Sequence, residues 1–309
     1  MKIPSGGIDL RHTFVSGQCF RWGHYTETGE FVFGIPDSDG FWEGVVYGTP
    51  VRLLQEGGFI YYQTPSERIY VPQLKKYLSI EDFLWFYLRL DIDLDEVYRE
   101  IGKDRYVKSA IEMYRGLTIL RQEPYETLVS YMISPMNSVE KIAAKLNEIS
   151  LLLGKRVKFT GKIFPLFPTP VSFLRNEKRF SSIKLRFGVE QARNILNAVR
   201  WVRDGGFEGM YDVPYRKVVS ELLKIRGVGR KIADCVALFS LNKLEAVPLD
   251  VHIKRVTVSL YGKRLGRRPK GVPEYEFFGK FWRSYFGRYA GFAQEYLYLA
   301  SRDGIFNQP

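Results

Sequence analysis

The spacing of apolar residues along this 309-residue chain changes near residue 72, and no other feature limits the fold as strongly. Before that point, short runs rich in aromatic and β-branched residues alternate with turn clusters such as Asp37–Gly40, which predicts an antiparallel meander of strands. From Asp82 onward, apolar residues recur at helical spacing. Three prolines predict that residues 155–170 are irregular. We therefore expect an α+β fold.

The same change of spacing indicates how the chain divides into domains. An N-terminal antiparallel β-sheet domain is expected over residues 1–72, packed on a mostly α-helical, two-lobed body over residues 73–309. The lobes are expected to span roughly residues 125–230 in one case, and residues 73–124 together with 231–309 in the other.

Composition narrows the classes of partner and cofactor. Lysine and arginine number 46 against 34 acidic residues, a net charge of +12 that favours nucleic acid first and a membrane surface second. Two cysteines, Cys19 and Cys235, cannot hold a four-cysteine iron–sulfur cluster, so none is expected. With three histidines, a classical zinc site is not expected either. No apolar stretch is long enough to span a membrane and no secretory signal is evident, so we expect an intracellular, cytoplasmic protein. We also expect it to be a monomer.

Residues 224–256 contain the most informative local pattern. The turn Gly227-Val228-Gly229 joins an amphipathic helix, expected to end near Arg226, to a second helix that begins at Arg230 and Lys231. Glycines let the backbone approach another surface closely, and the free N–H groups of such a turn form a seat for phosphate. A loop then leads to Asp250 at the predicted start of a third helix.

One lysine and one aspartate at successive helix starts have two possible interpretations. The helix N-terminus and the neighbouring Arg230 disfavour the ammonium form of Lys231, which would make its amine a nucleophile. Alternatively, Lys231 is a surface residue that binds phosphate. Asp250 is a natural helix cap, and a fixed carboxylate there could also stabilise positive charge on a sugar. His252 is interpreted first as a core residue and second as part of the site.

Five segments resemble one enzyme family. Residues 223–250 resemble the helix-hairpin-helix, Gly/Pro-rich loop and aspartate motif of the base-excision DNA glycosylases, and the similarity is closest to the eukaryotic-type 8-oxoguanine DNA glycosylase branch, here as an archaeal or bacterial member. The segments that carry the resemblance are SGQCFRW at 16–22, LRQEP at 120–124, GRKIADC at 229–235, VPLDVH at 247–252 and AGFAQ at 290–294. They follow the family's order and span nearly the whole chain.

The resemblance implies two catalytic residues and four that bind the base. Lys231 would attack C1′ of a nucleotide flipped out of the duplex, release the base and form a Schiff base that permits β-elimination, with Asp250 as the supporting carboxylate and no cofactor required. The base-binding residues would be Gly17, whose carbonyl accepts the N7 hydrogen of oxidised guanine, Gln294 at the Watson–Crick edge, and Tyr298 and Cys235 against the two base faces.

The resemblance also implies contacts to duplex DNA and to an ion. The implied DNA-binding residues are Gly227, Val228, Gly229, Arg230 and His252, with Asn137 filling the space left by the flipped base and Lys141 standing where an arginine is expected. Carbonyls of Leu223, Ile225 and Val228 match positions that hold a structural monovalent or calcium ion. The family's tyrosine–arginine wedge and its cytosine-reading arginines have no match, which leaves the preferred opposite base undetermined.

Two other functions are compatible with the chain. The first is a non-catalytic helix-hairpin-helix DNA-binding protein, which would not need Lys231, Asp250 and Gln294 together. The second is a glycosylase for a different damaged base, such as an alkylated base or an oxidised pyrimidine. A covalent adduct trapped on damaged DNA would exclude the first, and a panel of damaged bases would test the second.

Overall fold

A computed structural model describes residues 1–306 and shows a six-stranded N-terminal sheet. Its strands are β1 (Lys2–Pro4), β2 (Trp22–Tyr25), β3 (Phe31–Phe33), β4 (Trp42–Val46), β5 (Thr49–Glu56) and β6 (Phe59–Gln63). All neighbours pair antiparallel, in the order β1-β6-β5-β4-β2-β3. The antiparallel prediction is confirmed, but a simple meander is limited to β4–β6, because β4 pairs with β2 instead of β3.

Glycines permit the unexpected β2–β4 pairing. Trp22 lies opposite Gly44, and a β-carbon on Gly44 would lie 2.8 Å from the Trp22 ring. The buried indole of Trp22 stacks on Phe14 with ring centroids 4.2 Å apart. Phe14 belongs to the short helix α1 (Leu10–Val15), so this stack anchors the segment that follows α1 to the sheet.

Two additional hairpins lie outside the main sheet. Strands β7 (Arg68–Val71) and β8 (Lys76–Ser79) pair antiparallel, and residue 72 lies in the turn between them. Strands β9 (Arg156–Phe159) and β10 (Lys162–Pro165) form the other. The prediction of an irregular segment at 155–170 was wrong here, because Pro165 occupies the last position of a strand, where its ring does not interrupt the pairing. The predicted boundary at residue 72 and the two lobes remain predictions.

The rest of the described chain is helical. The helices are α2 (Ile80–Tyr87), α3 (Leu94–Ile101), α4 (Arg105–Met113), α5 (Pro124–Ile133), α6 (Val139–Leu153), α7 (Pro170–Arg175), α8 (Glu177–Ser181), α9 (Gly188–Arg203), α10 (Tyr215–Leu222), α11 (Arg230–Ser240), α12 (Val251–Leu265), α13 (Glu274–Phe286) and α14 (Ala290–Arg302). The predicted helix at 139–153 is confirmed with Ser138 as its cap, whose hydroxyl accepts the N–H of Lys141. None of the helices in residues 1–306 has the length and apolar content that crossing a bilayer requires.

One continuous apolar core joins the sheet to the helices. Helix α5 runs through its centre, packs on α11 and α9, and has every residue except Glu126 buried. Buried side chains from both regions, such as Leu53 of the sheet and Phe292 of α14, belong to the same cluster. Because α5, α11 and α14 share this core, the side chains at their exposed edges are held on a common rigid base.

Candidate active site

The connection between α10 and α11 spans residues 223–229 and is longer than the three-residue turn that its sequence indicates. Helix α10 ends at Leu222, not near Arg226, and i→i+3 bonds carry the chain through Ile225 to Val228. Gly227 has φ +87°, and a β-carbon there would lie 2.8 Å from Asn194 of α9. A β-carbon on Gly229 would meet nothing within 4 Å. Gly227 is therefore required by packing within the protein, whereas Gly229 faces open space.

Lys231 lies in the first turn of α11, half-buried, and its amine is directed at α5. The Nζ atom lies 3.3 Å from the Ser134 hydroxyl and 4.9 Å from the centroid of the Tyr131 ring. The adjacent Arg230 points elsewhere, because its guanidinium pairs with Glu276 at 2.7 Å. The first turn of α11 thus separates a guanidinium paired with a carboxylate from an amine whose polar and aromatic contacts within residues 1–306 are a hydroxyl and a ring face.

Asp250 caps α12, as its sequence context predicts. Its Oδ1 accepts the backbone N–H of Ile253 at 2.8 Å, which fixes the carboxylate at the helix start. The interpretation of His252 as a core residue was wrong: His252 is exposed, and its ring lies 6.3 Å from that of Tyr298 in a T-shaped arrangement. His252 lies in the first turn of α12 and lines the groove that is described below.

A buried chain of hydrogen bonds connects the elements that carry Lys231 and Asp250. Asp234, one turn along α11, accepts the hydroxyl of Tyr275 at 2.7 Å, and Tyr275 in turn accepts the N–H of Leu249 at 3.1 Å. Burial raises the pKa of Asp234 to about 6, although Tyr215 and Tyr275 oppose the shift. Tyr275 therefore links α11 to the residue that precedes Asp250. A lone tyrosine on a distant helix gave no sequence signal for this role.

A small recess brings the predicted catalytic and base-binding residues together. It measures about 60 Å³ and is lined by Gly17, Tyr131, Lys231, Cys235, Phe239, Pro248, Asp250, Gln294, Glu295 and Tyr298. A groove of about 1040 Å³ adjoins it, sharing Gly17, Lys231, Asp250 and Tyr298, and also contains Asn137, Gly229, Arg230 and His252. The six residues assigned to catalysis and base binding thus converge on one recess, and four of the assigned DNA-contact residues lie along the adjoining groove.

Gly17 forms one wall of the recess. Its φ is +102°, and a β-carbon would lie 3.1 Å from Cε1 of Tyr298, so only glycine is accommodated without strain. The neighbouring Gln18 amide holds this loop by donating to the Thr118 carbonyl and accepting from the Leu120 N–H, both at 2.8 Å. The Tyr131 hydroxyl lies 3.4 Å from the Gly17 carbonyl oxygen and 3.1 Å from that of Gln18.

Two buried groups of α14 have oxygens without a hydrogen-bond partner among residues 1–306. Gln294 is 3% exposed and Glu295 is 2% exposed, and Oε1 of each is unpartnered. Burial raises the pKa of Glu295 to about 7, against the opposing effects of Ser16, Arg302 and Lys231. Burial also raises the pKa of Cys235 to about 12, which keeps its thiol neutral against the base-binding space. Glu295 was not identified from the sequence, although an acidic residue within the largely apolar helical segment AGFAQEYLYLA was a signal that could have been used.

The remaining assigned residues lie at or beyond the edge of the groove. The Asn137 amide donates to the Ile133 carbonyl at 2.8 Å, and the preceding Met136 projects further, 73% exposed at φ +57°. Lys141 is exposed on the first turn of α6, outside the groove lining. Asn137 therefore has its amide occupied within the protein.

The proposed ion-binding carbonyls belong to the hairpin. The Ile225 carbonyl accepts the N–H of Val228 at 3.0 Å, which leaves it one lone pair, while Leu223 is 41% exposed. Among residues 1–306, no group of three or more His, Cys, Asp and Glu side chains is arranged to hold a metal. An ion at this position would therefore be bound by backbone oxygens, and the ion remains a prediction.

Comparison with known proteins places this arrangement in a family. Residues 1–128 match the family described as 8-oxoguanine DNA glycosylase, N-terminal domain. The N-glycosylase/DNA lyase OGG1 of Arabidopsis thaliana is 27% identical over 310 residues, covering 97% of this chain and 79% of the relative.

Two solved structures of DNA complexes resemble the whole fold. The structure of MBOgg1 with a low affinity DNA ligand has a TM-score of 0.79 at 30% identity, covering 97% of this chain and 93% of that one. The Clostridium acetobutylicum 8-oxoguanine glycosylase/lyase, in complex with double-stranded DNA containing cytosine opposite to 8-oxoG, has a TM-score of 0.79 at 28% identity, covering 98% and 94%. The chain therefore belongs to the 8-oxoguanine DNA glycosylase family.

Proposed function

We propose that this protein excises 8-oxoguanine from duplex DNA through a Schiff base on Lys231 and then cleaves the strand by β-elimination. The observation that carries the proposal is the convergence of Lys231 and Asp250, from two successive helix starts, on one recess with Gly17 and Gln294. Family membership supports the same activity in base excision repair. The second reading of Lys231, as a surface phosphate ligand, fits poorly with an amine half-buried against the Tyr131 ring.

In the first chemical step, the neutral Lys231 amine attacks C1′ of the flipped nucleotide. The C1′–N9 bond breaks, its electron pair leaves with the base, and the base takes up a proton. The Ser134 hydroxyl and the face of Tyr131 hold Nζ where it projects into the recess. The Asp250 carboxylate, fixed by the Ile253 N–H, stabilises the positive charge that develops on the sugar.

The second step breaks the strand. Opening of the sugar ring converts the amine at C1′ into an imine with Lys231, which acidifies the hydrogens at C2′. Loss of one C2′ proton sends its electron pair into a new C2′–C3′ double bond and expels the 3′ phosphate. The iminium nitrogen on Lys231 holds this electron pair transiently as an enamine, and the pair then forms the double bond while the C3′–O electrons leave with the phosphate, so neither step requires a metal or cofactor.

Base recognition would use the Gly17 carbonyl, which has a long 3.4 Å contact from the Tyr131 hydroxyl, and the Gln294 amide, whose Oε1 has no partner among residues 1–306. The Gly17 carbonyl would accept the N7 hydrogen that oxidised guanine has and guanine lacks, and Gln294 would read the Watson–Crick edge. Leaving such a buried group unpaired costs about 1–3 kcal/mol, which the correct base recovers. Tyr298 and Cys235 would lie against the base faces. The Tyr298 ring lies against Gly17 in the absence of DNA, so we expect it to move away from Gly17 when the base is inserted.

The DNA duplex would lie along the adjoining groove. A net charge of +12 supports an electrostatic grip, and the open backbone at Gly229 with the exposed ring of His252 supports contacts to phosphates. A structural ion held by the hairpin carbonyls of Leu223, Ile225 and Val228 would strengthen a nearby phosphate contact. We further propose that the protein acts as a monomer on DNA in the cytoplasm.

Reductive trapping with borohydride tests the activity. A duplex with a single 8-oxoguanine should yield a covalent adduct and a cleaved strand with the wild-type protein, and neither with Lys231→Gln. Lys224→Gln is the matched control, because Lys224 belongs to the same hairpin but pairs with Glu221 at 2.8 Å on the exposed side. Absence of an adduct with the wild-type protein, or its persistence in Lys231→Gln, would contradict the proposal.

A further inference from the structure

We infer that Glu295 is a second base-reading residue, which in its uncharged form donates a hydrogen bond to an acceptor atom of the purine held in the recess. This inference rests on the proposed function, because it assigns a role to Glu295 in the same recess. It differs from that function in naming a residue, and a protonation state, that neither catalysis nor the contacts of Gly17 and Gln294 require.

The position of Glu295 carries the inference. The side chain lines the recess beside Gln294 and Tyr298, is 2% exposed, and has no hydrogen-bond partner for Oε1 among residues 1–306. Natural proteins rarely bury a carboxyl oxygen without a partner, because desolvation without a compensating bond is costly. A buried polar atom that faces a ligand space and lacks a protein partner is suited to bind the ligand.

The surroundings of Glu295 favour the neutral carboxyl, so that a large fraction of it is uncharged near pH 7. Burial raises its pKa to about 7, and insertion of a base would remove further solvent and favour the neutral form more strongly. The ionisable groups that face it come from every neighbouring element: Cys19 after α1, Tyr131 of α5, Lys231 and Cys235 of α11, Asp250 before α12, and Tyr298 and Arg302 of α14. Asp250 opposes ionisation of Glu295, whereas Lys231 and Arg302 favour it.

The chemistry of the ligand explains why a neutral acid is useful there. Oxidised guanine presents carbonyl oxygens at C6 and C8 as well as N–H donors. The Gly17 carbonyl supplies only an acceptor, and an ionised Glu295 would add two more acceptors. A neutral carboxyl instead offers one donor and one acceptor, which complements a base edge with adjacent C=O and N–H groups. Ionisation of Glu295 should therefore weaken base binding.

Glu295→Gln and Glu295→Leu separate this role from alternatives. Glutamine keeps a donor and an acceptor of the same size but cannot ionise, so kcat/KM for 8-oxoguanine release should match wild type at about pH 6. The ratio of kcat/KM for Glu295→Gln to that for wild type should then rise several-fold between about pH 7 and 8. Glu295→Leu should lower kcat/KM on the order of 10- to 100-fold at pH 6.

Two controls keep the outcome specific to base reading. Trapping on a duplex with a preformed abasic site has no base to read, so both Glu295 variants should give wild-type adduct yields. Glu123→Gln removes a different, half-buried carboxyl, whose pKa is raised by burial to about 7 and which lines another cavity, and should leave the pH profile of base release unchanged.

Three results would overturn the inference. A Glu295→Gln variant as impaired as Glu295→Leu would mean that a charged carboxylate is needed. If kcat/KM of Glu295→Gln fell with rising pH as it does in the wild-type protein, a group other than Glu295 would be responsible for the pH dependence. Reduced abasic-site trapping in Glu295→Gln would mean that the residue serves Lys231 or the fold. If the wild-type protein released no 8-oxoguanine at all, the proposed function would fail, which is distinguishable from these three outcomes.

Discussion

The ring of Tyr298 closes over the backbone of Gly17, so that a β-carbon added to Gly17 would lie 3.1 Å from Tyr298 Cε1. Tyr298 comes from the last helix and Gly17 from the loop after the first, so the chain brings its two ends together at this contact. The contact forms one wall of the recess in the absence of DNA. We expect a flipped base to separate the two residues, and a side chain at position 17 would reduce the space that forms.

We expect Gly17→Ala to lower 8-oxoguanine release by about 100-fold, because a misplacement of the recess wall by about 1 Å has that effect on reactions in oriented sites. The positive φ adds strain of about 1–2 kcal/mol to the fold. Gly7→Ala is the matched control, since Gly7 has φ +77° but an added β-carbon meets nothing within 4 Å. Single-turnover base release and thermal unfolding measure both effects. Equal activity of the two variants would contradict the role of Gly17.

The two roles of Asp250 can be separated by substitution. Asparagine caps helices as well as aspartate, so Asp250→Asn should change the free energy of unfolding by only a few tenths of a kcal/mol, whereas Asp250→Ala should cost about 1 kcal/mol. Both should lower base release on the order of 100-fold, because both remove the negative charge. Urea denaturation and single-turnover kinetics give the two readouts. An active Asp250→Asn variant would limit Asp250 to capping.

Loss of the Gln294 amide should affect oxidised guanine selectively. Gln294→Ala removes an unpartnered buried group, so we expect release of 8-oxoguanine to fall about 10- to 100-fold, with a smaller change for lesions that lack its edge pattern. Gln191→Ala is a control for loss of a buried amide, because Gln191 bonds the Met132 carbonyl at 2.9 Å within the helical body. A uniform loss across a panel of damaged bases would contradict a reading role for Gln294.

Buried carboxyls make folding stability depend on pH. Burial raises the pKa of Glu123 from 4.5 to about 7, so the folded state resists its ionisation while the unfolded chain does not. Stability from this group is complete below about pH 4.5 and is lost as pH rises to about 7, by on the order of 3 kcal/mol at most. Glu123→Gln should therefore stabilise the protein at pH 8 and flatten this dependence. A Tm at pH 8 below that of wild type would contradict the prediction.

The two glycines of the hairpin should respond differently to substitution. Gly227→Ala meets Asn194 at 2.8 Å and a positive φ, and should destabilise the fold by about 1–3 kcal/mol. Gly229→Ala meets open space and should leave Tm nearly unchanged while weakening duplex binding, since its β-carbon would stand between the backbone and a phosphate. Thermal unfolding and equilibrium binding at fixed salt distinguish the pair. Unchanged binding in Gly229→Ala would place DNA elsewhere.

Local signals determined which parts of the fold could be predicted from sequence. Helix α6 was predicted with both ends and its Ser138 cap, because capping and apolar spacing are encoded within the segment itself. The β2–β4 pairing was missed, because it depends on the fit of Trp22 against Gly44, two residues far apart in the chain. The β9–β10 hairpin was missed because Pro165, Pro168 and Pro170 were interpreted as preventing a long helix in an irregular segment, whereas Pro165 ends a strand.

The same distinction between local sequence signals and contacts made in space applies to the residues of the site. The local pattern of helix starts identified Lys231 and Asp250, and the resemblance to the family implied Gly17 and Gln294; the structure gathers all four on one recess. Neither signal identified the contacts that hold them there, such as the Tyr275 bridge between α11 and Leu249, because those depend on helices meeting in space. His252 was misplaced in the core, since a histidine flanked by apolar residues gives no indication of which side of a helix faces solvent.

Tyr131 contacts two groups of the site. Its ring lies under the Lys231 amine, and its hydroxyl lies near the Gly17 carbonyl oxygen, which we propose distinguishes oxidised guanine from guanine. The separation between nucleophile and carbonyl is thus set by a rigid aromatic spacer from a buried helix, already in place before DNA arrives. Flexible side chains in this position would lose conformational entropy each time a damaged base binds. Here that entropic penalty is met during folding, so the binding energy of the duplex remains available for extruding the nucleotide.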